Sequence, residues 1–168
     1  MSDPMYILVP YNPDEELDVN DVFDEHYLYT EGDFVAEFGF EGYVSSKEIH
    51  DTKEKRSSVA EKIIRYFGKD ICHLEDDTVV FEKDVSLKYA EKKIKKINDL
   101  MKEMTSEKYV EDGEFRLIDA IRTMSMYIHA WNTGYDEFIQ SADSFVIDTL
   151  NYNDDCKFWV AQTWFCHY

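Results

Sequence analysis

The chain has 168 residues, 44% of them hydrophobic and 15% aromatic, and its formal net charge at pH 7 is −18. That apolar content is enough for a folded core, so the composition excludes a disordered chain despite the charge. The three cysteines lack disulfide-framework spacing, and no apolar run approaches the roughly 18 residues of a membrane helix. We therefore expect one domain over residues 1–168, cytoplasmic and without membrane contact.

The N-terminal third is predicted to contain two strands. Met5–Pro10 is a short apolar run closed by turn-forming residues, which is typical of a buried strand. Asp18–Tyr29 has the spacing of a short helix. Asp33–Tyr43 alternates between apolar and acidic residues, so we expect a half-buried strand with an acidic outer face.

A helix is predicted over Ser57–Phe67, where apolar residues recur every three or four positions. Ser57 or Ser58 is the expected N-cap, and Gly68 is the expected stop. The two short β-rich stretches that follow, Ile71–Leu74 and Thr78–Glu82, indicate a hairpin.

The longest predicted helix runs from Ser86 to about Tyr109. Its lysines occupy the remaining faces, and its apolar residues recur every three or four positions: Leu87, Ala90, Ile94, Ile97, Met101 and Met104. Two further helices are predicted over Glu114–Trp131 and Asp136–Leu150. The aromatic segment Lys157–Tyr168 fits a strand or a helix, and its composition favours a strand.

These elements predict an α+β fold with a small mixed or antiparallel sheet and three or more helices packed on one face. The domain divides into an acidic N-terminal strand region (1–46), a helical middle (57–150) and an aromatic C-terminal segment (157–168). The aromatic segment is most simply core, although a homodimer interface would have the same composition.

Motifs for catalysis or cofactor binding are absent from the sequence. Neither glycine-rich phosphate-binding pattern, G-x-x-x-x-G-K-[ST] or G-x-G-x-x-G, occurs. The dipeptides Cys72-His73 and Cys166-His167 could supply four zinc ligands, but adjacent strand residues point to opposite faces. The acidic cluster Glu75-Asp76-Asp77 does not have the spacing of the acidic residues in metal-dependent nucleases, and a hairpin turn explains it equally well. We therefore expect no catalytic residue, no metal and no cofactor.

The charge is distributed unevenly along the chain. Residues 1–46 contain 12 acidic and no basic residues, residues 47–110 contain 15 basic and 14 acidic residues, and residues 111–168 contain 3 basic and 10 acidic residues. A segregated acidic region attracts basic partners and repels nucleic acid and anionic membranes. The lysine-rich stripe near residues 92–96 is then expected to be solvated or to face an acidic segment, without direct binding to nucleic acid.

The leading functional hypothesis is an acidic protein-interaction module. Its partner would be a basic protein, most simply a nucleic-acid-binding enzyme whose cleft is occupied by carboxylates that imitate phosphates, as anti-restriction, anti-CRISPR or toxin-immunity proteins do; the likeness to them is one of composition only. The expected contact residues are Asp14, Glu15, Glu16, Asp18, Asp21, Asp24, Glu25, Tyr27, Tyr29, Glu31, Asp33, Glu37, Glu41 and Tyr43.

Two alternatives remain open at the level of the sequence. One is a small cytoplasmic enzyme whose site combines sequence-distant groups such as His26, His129 and a carboxylate. A concave pocket with a shifted histidine or glutamate pKa would favour it. The other is an acidic domain whose charge serves only solubility.

Overall fold

The computed structural model describes residues 2–19, 43–111, 127–130, 140–150 and 156–167. The strands are β1 (Ser2–Pro10), β2 (Tyr43–Ile49), β3 (Cys72–Glu75), β4 (Thr78–Phe81), β5 (Tyr127–Ala130), β6 (Gln140–Ser141) and β7 (Lys157–His167). The long helices are α1 (Lys53–Phe67) and α2 (Ser86–Glu103), and a short helix, Ala142–Ser144, continues as the π-helical turn Phe145–Thr149. Strands and helices together form an α+β fold, as the sequence predicted.

The sheet is built around β7, whose two edges are both occupied. β1 pairs antiparallel with β7 along its length, while the other edge is shared by β4, opposite Lys157–Trp159, and β2, opposite Gln162–His167. β5 lies parallel to β1, β6 pairs with β5, and β3 pairs with β4. The described strands therefore form one mixed sheet of order β3-β4-β7-β1-β5-β6, with β2 beside β7.

The register between β1 and β7 shifts by one residue at Ala161. Leu8 lies opposite Val160 and Ile7 opposite Gln162, so Ala161 is the extra residue of a β-bulge. Its carbonyl accepts a hydrogen bond from His50 N (2.9 Å), immediately after β2 ends. The bulge reverses the alternation of β7, so that Phe158 and Val160 face α1 on one side of it and Thr163 faces the same way on the other.

Aromatic rings join α1 to the sheet. Phe81 is 1% exposed, and its ring centroid lies 5.3 Å from Phe67, 5.2 Å from Phe145 and 6.2 Å from Phe158, each in an edge-to-face arrangement. Four elements that are distant in sequence meet at this ring, because Phe67 belongs to α1, Phe145 to the π-helical turn and Phe158 to β7. Edge-to-face ring pairs add to the stabilisation that apolar burial already provides.

Helix α1 begins earlier than the sequence predicted. Its N-cap is Thr52, whose Oγ1 accepts a hydrogen bond from Lys55 N (3.3 Å). The predicted N-cap, Ser57 or Ser58, is wrong: both residues lie inside the helix, and the Ser57 hydroxyl donates to the Asp76 carbonyl (3.3 Å). The predicted stop is confirmed, since Gly68 adopts φ +98° and its N–H donates to Ile64 O (2.7 Å).

Helix α2 ends at Glu103, six residues before the predicted end. Met104 is extended, and Thr105 Oγ1 then accepts from Lys108 N (3.2 Å), which caps a separate helical turn beginning at residue 106. The apolar stripe of α2 is only partly covered by other elements. Leu87 is 80%, Ile94 58% and Met101 50% exposed, because the helix contacts the core mainly through Tyr89.

The region after residue 126 departs from the predicted helices. Residues 127–130 form strand β5, because pairing with β1 from Met5 to Leu8 satisfies their backbone groups. Of the predicted helix Asp136–Leu150, the structure describes residues 140–150, which form strand β6 and then become helical at Ala142. The predicted elements Asp18–Tyr29 and Asp33–Tyr43 lie outside the described residues apart from Asp18, Val19 and Tyr43, and of Glu114–Trp131 only residues 127–130 are described.

Several short predictions are confirmed. The first strand and the hairpin around Asp76 occur where the sequence placed them, and the C-terminal segment is a strand. Trp159 and Trp164 of that strand are buried, at 9% and 1% exposure, so they belong to the interior of the chain. No helix in the described part of the chain combines the length and apolar character needed to cross a membrane.

We expect Phe81→Ala to lower the free energy of unfolding by about 3–5 kcal/mol, because it removes the ring at which four elements meet. Leu87→Ala, in the exposed stripe of α2, should change it by less than about 0.5 kcal/mol. Urea unfolding followed by circular dichroism would measure both. Equal losses in the two variants would contradict this assignment of the core.

Candidate functional site

The segment 11–19 is an acidic loop held to the sheet at both ends. At the first end, Tyr11 N donates to Lys157 O (2.8 Å), and the Tyr11 ring packs edge-to-face on Trp159 at 4.7 Å. At the second end, the buried Val19 accepts a hydrogen bond through its carbonyl from Gln162 Nε2 (2.6 Å). The loop is therefore anchored on the first half of β7 and again on its second half.

Between these anchors the loop presents carboxylates to solvent. Asn12 starts a turn in which its carbonyl accepts from Glu15 N (3.3 Å) and its Oδ1 from Asp14 N (3.1 Å). Asp14, Glu15, Glu16 and Asp18 are all exposed. No basic group among the described residues forms an ion pair with Asp14, Glu15 or Glu16. Four predicted contact residues are thus brought together on one short surface loop.

The other predicted contact residues have different outcomes. Tyr43 is the first residue of β2 and lies opposite His167 in the sheet register. The remaining ones lie outside the described residues: Asp21, Asp24, Glu25, Tyr27, Tyr29, Glu31, Asp33, Glu37 and Glu41. The structure therefore describes the two ends of the predicted contact segment, residues 14–18 and Tyr43.

The acidic hairpin between β3 and β4 is neutralised within the chain. Glu75 pairs with Lys157 (2.5 Å) and Asp76 with Lys53 (2.7 Å), and these bonds hold the pKa of each carboxyl below its usual range. Asp77 is buried and accepts from Arg56 Nε at 2.6 Å. These carboxylates serve structural ion pairs, in agreement with the hairpin-turn interpretation.

A cleft lies between the end of β2 and α1. It has a volume of about 560 Å³ and is lined by Glu48, Ile49, His50, Glu54, Lys55, Ser58, Val59 and Lys62. His50 is only 3% exposed, and its Nε2 hydrogen-bonds to Thr163 Oγ1 (2.9 Å) on β7. Burial lowers the His50 pKa below its ordinary value; Lys62, Lys55 and Arg56 lower it further, while Glu48 raises it.

Sequence reasoning did not single out His50 as a buried residue. It stands between Ile49 and Asp51 in a polar stretch with no burial pattern. Its burial depends on Thr163, which is 113 positions away, and on the packing of α1 beside β2. Of the histidines that were singled out, His129 lies on strand β5 opposite Ile7 in the sheet register, where a helix was predicted, and His26 lies outside the described residues.

The two side chains of the first cysteine-histidine pair, Cys72 and His73 on β3, have different environments. Cys72 is buried, and desolvation raises the pKa of its thiol to about 12, so it is not a reactive thiolate. His73 points the other way, and its Nδ1 lies 3.0 Å from Glu82 Oε1. Among the described residues, no group of three potential ligands could hold a metal ion.

Comparisons with protein family models, curated proteins and solved structures found no match to this chain. The charges and contacts of the surfaces described above are therefore the basis for a functional assignment.

The His50 environment predicts a specific pH dependence of stability. The pKa of His50 is lower in the folded state than its ordinary value of 6.5 in the unfolded chain. The contribution of neutral His50 to stability is therefore fully present above pH 6.5 and is lost as the pH falls through the pKa of the folded state. The free energy of unfolding should thus decline as the pH falls below about 6.5, and this decline begins above the range in which carboxylates titrate. The decline should be smaller in His50→Gln, measured by urea unfolding, and an identical decline in both proteins would contradict the assignment.

Proposed function

We propose that this chain is an acidic protein-interaction module that binds the basic nucleic-acid cleft of another protein, such as a nuclease or a defence effector. It would inhibit that protein by competing with nucleic acid and would need no chemistry of its own. The observation that carries the proposal is the acidic loop 11–19, which is anchored at Tyr11 and Val19 and presents Asp14, Glu15 and Glu16 to solvent.

The anchoring supports binding because an ordered loop loses less conformational entropy when a partner docks. A free acidic tail would have to be ordered at that moment. Here the Tyr11–Trp159 ring contact and the Gln162–Val19 hydrogen bond already restrict the conformations of the loop at both ends. Its carboxylates can therefore act as a partly preorganised array of negative charges.

The charge arrangement elsewhere supports the same surface. In the middle of the chain, acids are paired with lysines and arginine: Asp51 with Lys55, Asp70 with Lys92, Asp76 with Lys53, Asp77 with Arg56 and Asp143 with Lys93. The first 46 residues have no basic residue to provide such pairs among themselves. The loop 11–19 belongs to this segment, so long-range attraction would bring a basic protein to it.

Competition with nucleic acid tests the proposal. The tagged protein would be incubated with nuclease-treated bacterial lysate at about 0.05 M and about 0.5 M salt, because exposed charge pairs are screened at high salt. We expect a basic nucleic-acid-binding protein to be retained at low salt and released both by high salt and by a double-stranded DNA oligonucleotide. A bound protein that the oligonucleotide does not displace would contradict the mimicry.

Charge reversal in the loop should weaken that complex. We expect the triple variant Asp14→Lys, Glu15→Lys, Glu16→Lys to bind the recovered partner at least about tenfold more weakly, measured by calorimetry at low salt. The matched control is Glu61→Lys, Glu91→Lys, Glu103→Lys, which makes the same change in net charge at exposed positions on α1 and α2. Equal weakening by both triples would show that net charge alone drives binding and would reject the loop as the contact site.

The second candidate function is catalysis in the cleft beside α1. The observation in its favour is that His50 is buried, has a lowered pKa and lines a cleft that also contains Glu48. A histidine that is neutral at neutral pH can act as a general base. A panel of activated esters would test for hydrolysis by the wild type and by His50→Gln. His73→Gln, at an exposed histidine, is the control, and this candidate fails if the wild type shows no turnover or if His50→Gln retains it.

A further inference from the structure

A basic groove lies between the C-terminal end of α1 and α2, on a protein with a net charge of −18. Its volume is about 270 Å³, and its lining residues are Arg65, Tyr66, Phe67, Gly68, Tyr89, Lys92, Lys93 and Lys96. All four charged residues in this lining are cationic. Since acidic residues outnumber basic ones two to one in the chain, such a lining is a local reversal of the charge.

Two of the four cations are held in place by carboxylates behind the groove. Lys92 Nζ donates to Asp70 Oδ1 (2.5 Å) and to the Phe67 carbonyl (3.2 Å) in the last turn of α1. Lys93 Nζ donates to both oxygens of Asp143 at 2.6 Å, and Tyr89 donates its hydroxyl to the same carboxylate at 2.6 Å. Lys92 also offsets the partial negative charge at the end of α1, which would otherwise oppose an anion.

The other two cations are not committed to such pairs. Arg65, on the α1 side, and Lys96, on the α2 side, form none of the ion pairs found in the described part of the chain, unlike Lys92 and Lys93. Asp70 is moreover shared, since Lys88 Nζ also approaches it at 3.9 Å. Among the described residues, the lining therefore has four cations, and two carboxylates, Asp70 and Asp143, pair with them.

We propose that the basic groove binds a phosphate group, supplied as inorganic phosphate or as a small phosphomonoester. The planar guanidinium of Arg65 can donate two parallel hydrogen bonds to phosphate oxygens, and Lys96 supplies a second charge from the opposite wall. A dianion matches these two uncommitted cations. The volume is below the roughly 300–1,000 Å³ of pockets for drug-sized ligands, so the groove suits a phosphate group with a small substituent.

The proposal can be tested by titrating the full chain with inorganic phosphate, glycerol phosphate or acetate at constant ionic strength and following backbone amide NMR signals. We expect saturable shifts at residues 65–68 and 89–96 with both phosphates and none with acetate, which carries a single charge. Tighter binding of glycerol phosphate would identify a phosphomonoester as the ligand, and equal binding would identify phosphate itself. Absence of saturable shifts, or equal shifts with acetate, would overturn the proposal.

Paired substitutions localise the site. Arg65→Gln with Lys96→Gln should weaken phosphate binding by about tenfold or more, because it removes two charge-assisted donors. Lys62→Gln with Lys95→Gln removes the same charge from the same two helices outside the groove lining, and should leave the affinity within about twofold. Equal effects of the two pairs would show non-specific attraction and would overturn the assignment.

The acidic-loop variants should leave phosphate affinity unchanged or raised, so this test is independent of the proposed function.

Discussion

Strand β7 is the element on which the rest of the described structure depends. It is the only one of the described strands that pairs with three others, and it joins β1, β2 and β4 into one sheet. Its first half contacts the aromatic core through Phe158 and anchors Tyr11, while its second half holds Val19 through Gln162. Because β7 lies at the C-terminal end of the chain and β1 at the N-terminal end, the sheet forms only when the two ends of the chain meet. The acidic loop and the His50 cleft are both positioned by this pairing.

The electrostatic organisation follows from the same framework. Where helices pack beside the sheet, acids and bases come within reach of one another, as Arg56 and Asp77 do in a buried pair. Where the chain passes over the sheet at residues 11–19, acidic residues have no basic neighbours in sequence and remain exposed. Two surfaces of opposite sign result: an acidic loop on which the proposed partner binding depends, and a basic groove between α1 and α2. A molecule with a large net charge can thus carry a local site for an ion of its own sign, because fields in water are screened over about 8–10 Å.

The predictions that succeeded depend on residues close together in the sequence, and those that failed depend on residues far apart in it. The hairpin at Asp76 and the stop at Gly68 are decided by a few adjacent residues, so local turn and cap chemistry was sufficient. Residues 127–130 were predicted as helix, yet they form a strand because β1 offers unpaired backbone groups beside them. The stripe of α2 has helical periodicity, but periodicity indicates that a helix has an apolar face and does not determine whether another element covers it. Leu87 shows the difference, since its position in the helix was predicted and its exposure was not.

For the candidate sites, the sequence by itself established the segregation of charge, the α+β composition and four acidic residues that the structure places on one exposed loop. These properties depend on residue identity and on neighbours along the chain. Only the tertiary structure decided that the loop is anchored by Trp159 and Gln162, that His50 is enclosed beside Thr163, and that Arg65 and Lys96 face one groove. Each of these arrangements joins residues that are tens of positions apart or more. Their proximity results from how helices and strands pack, and no local pattern of residues encodes it.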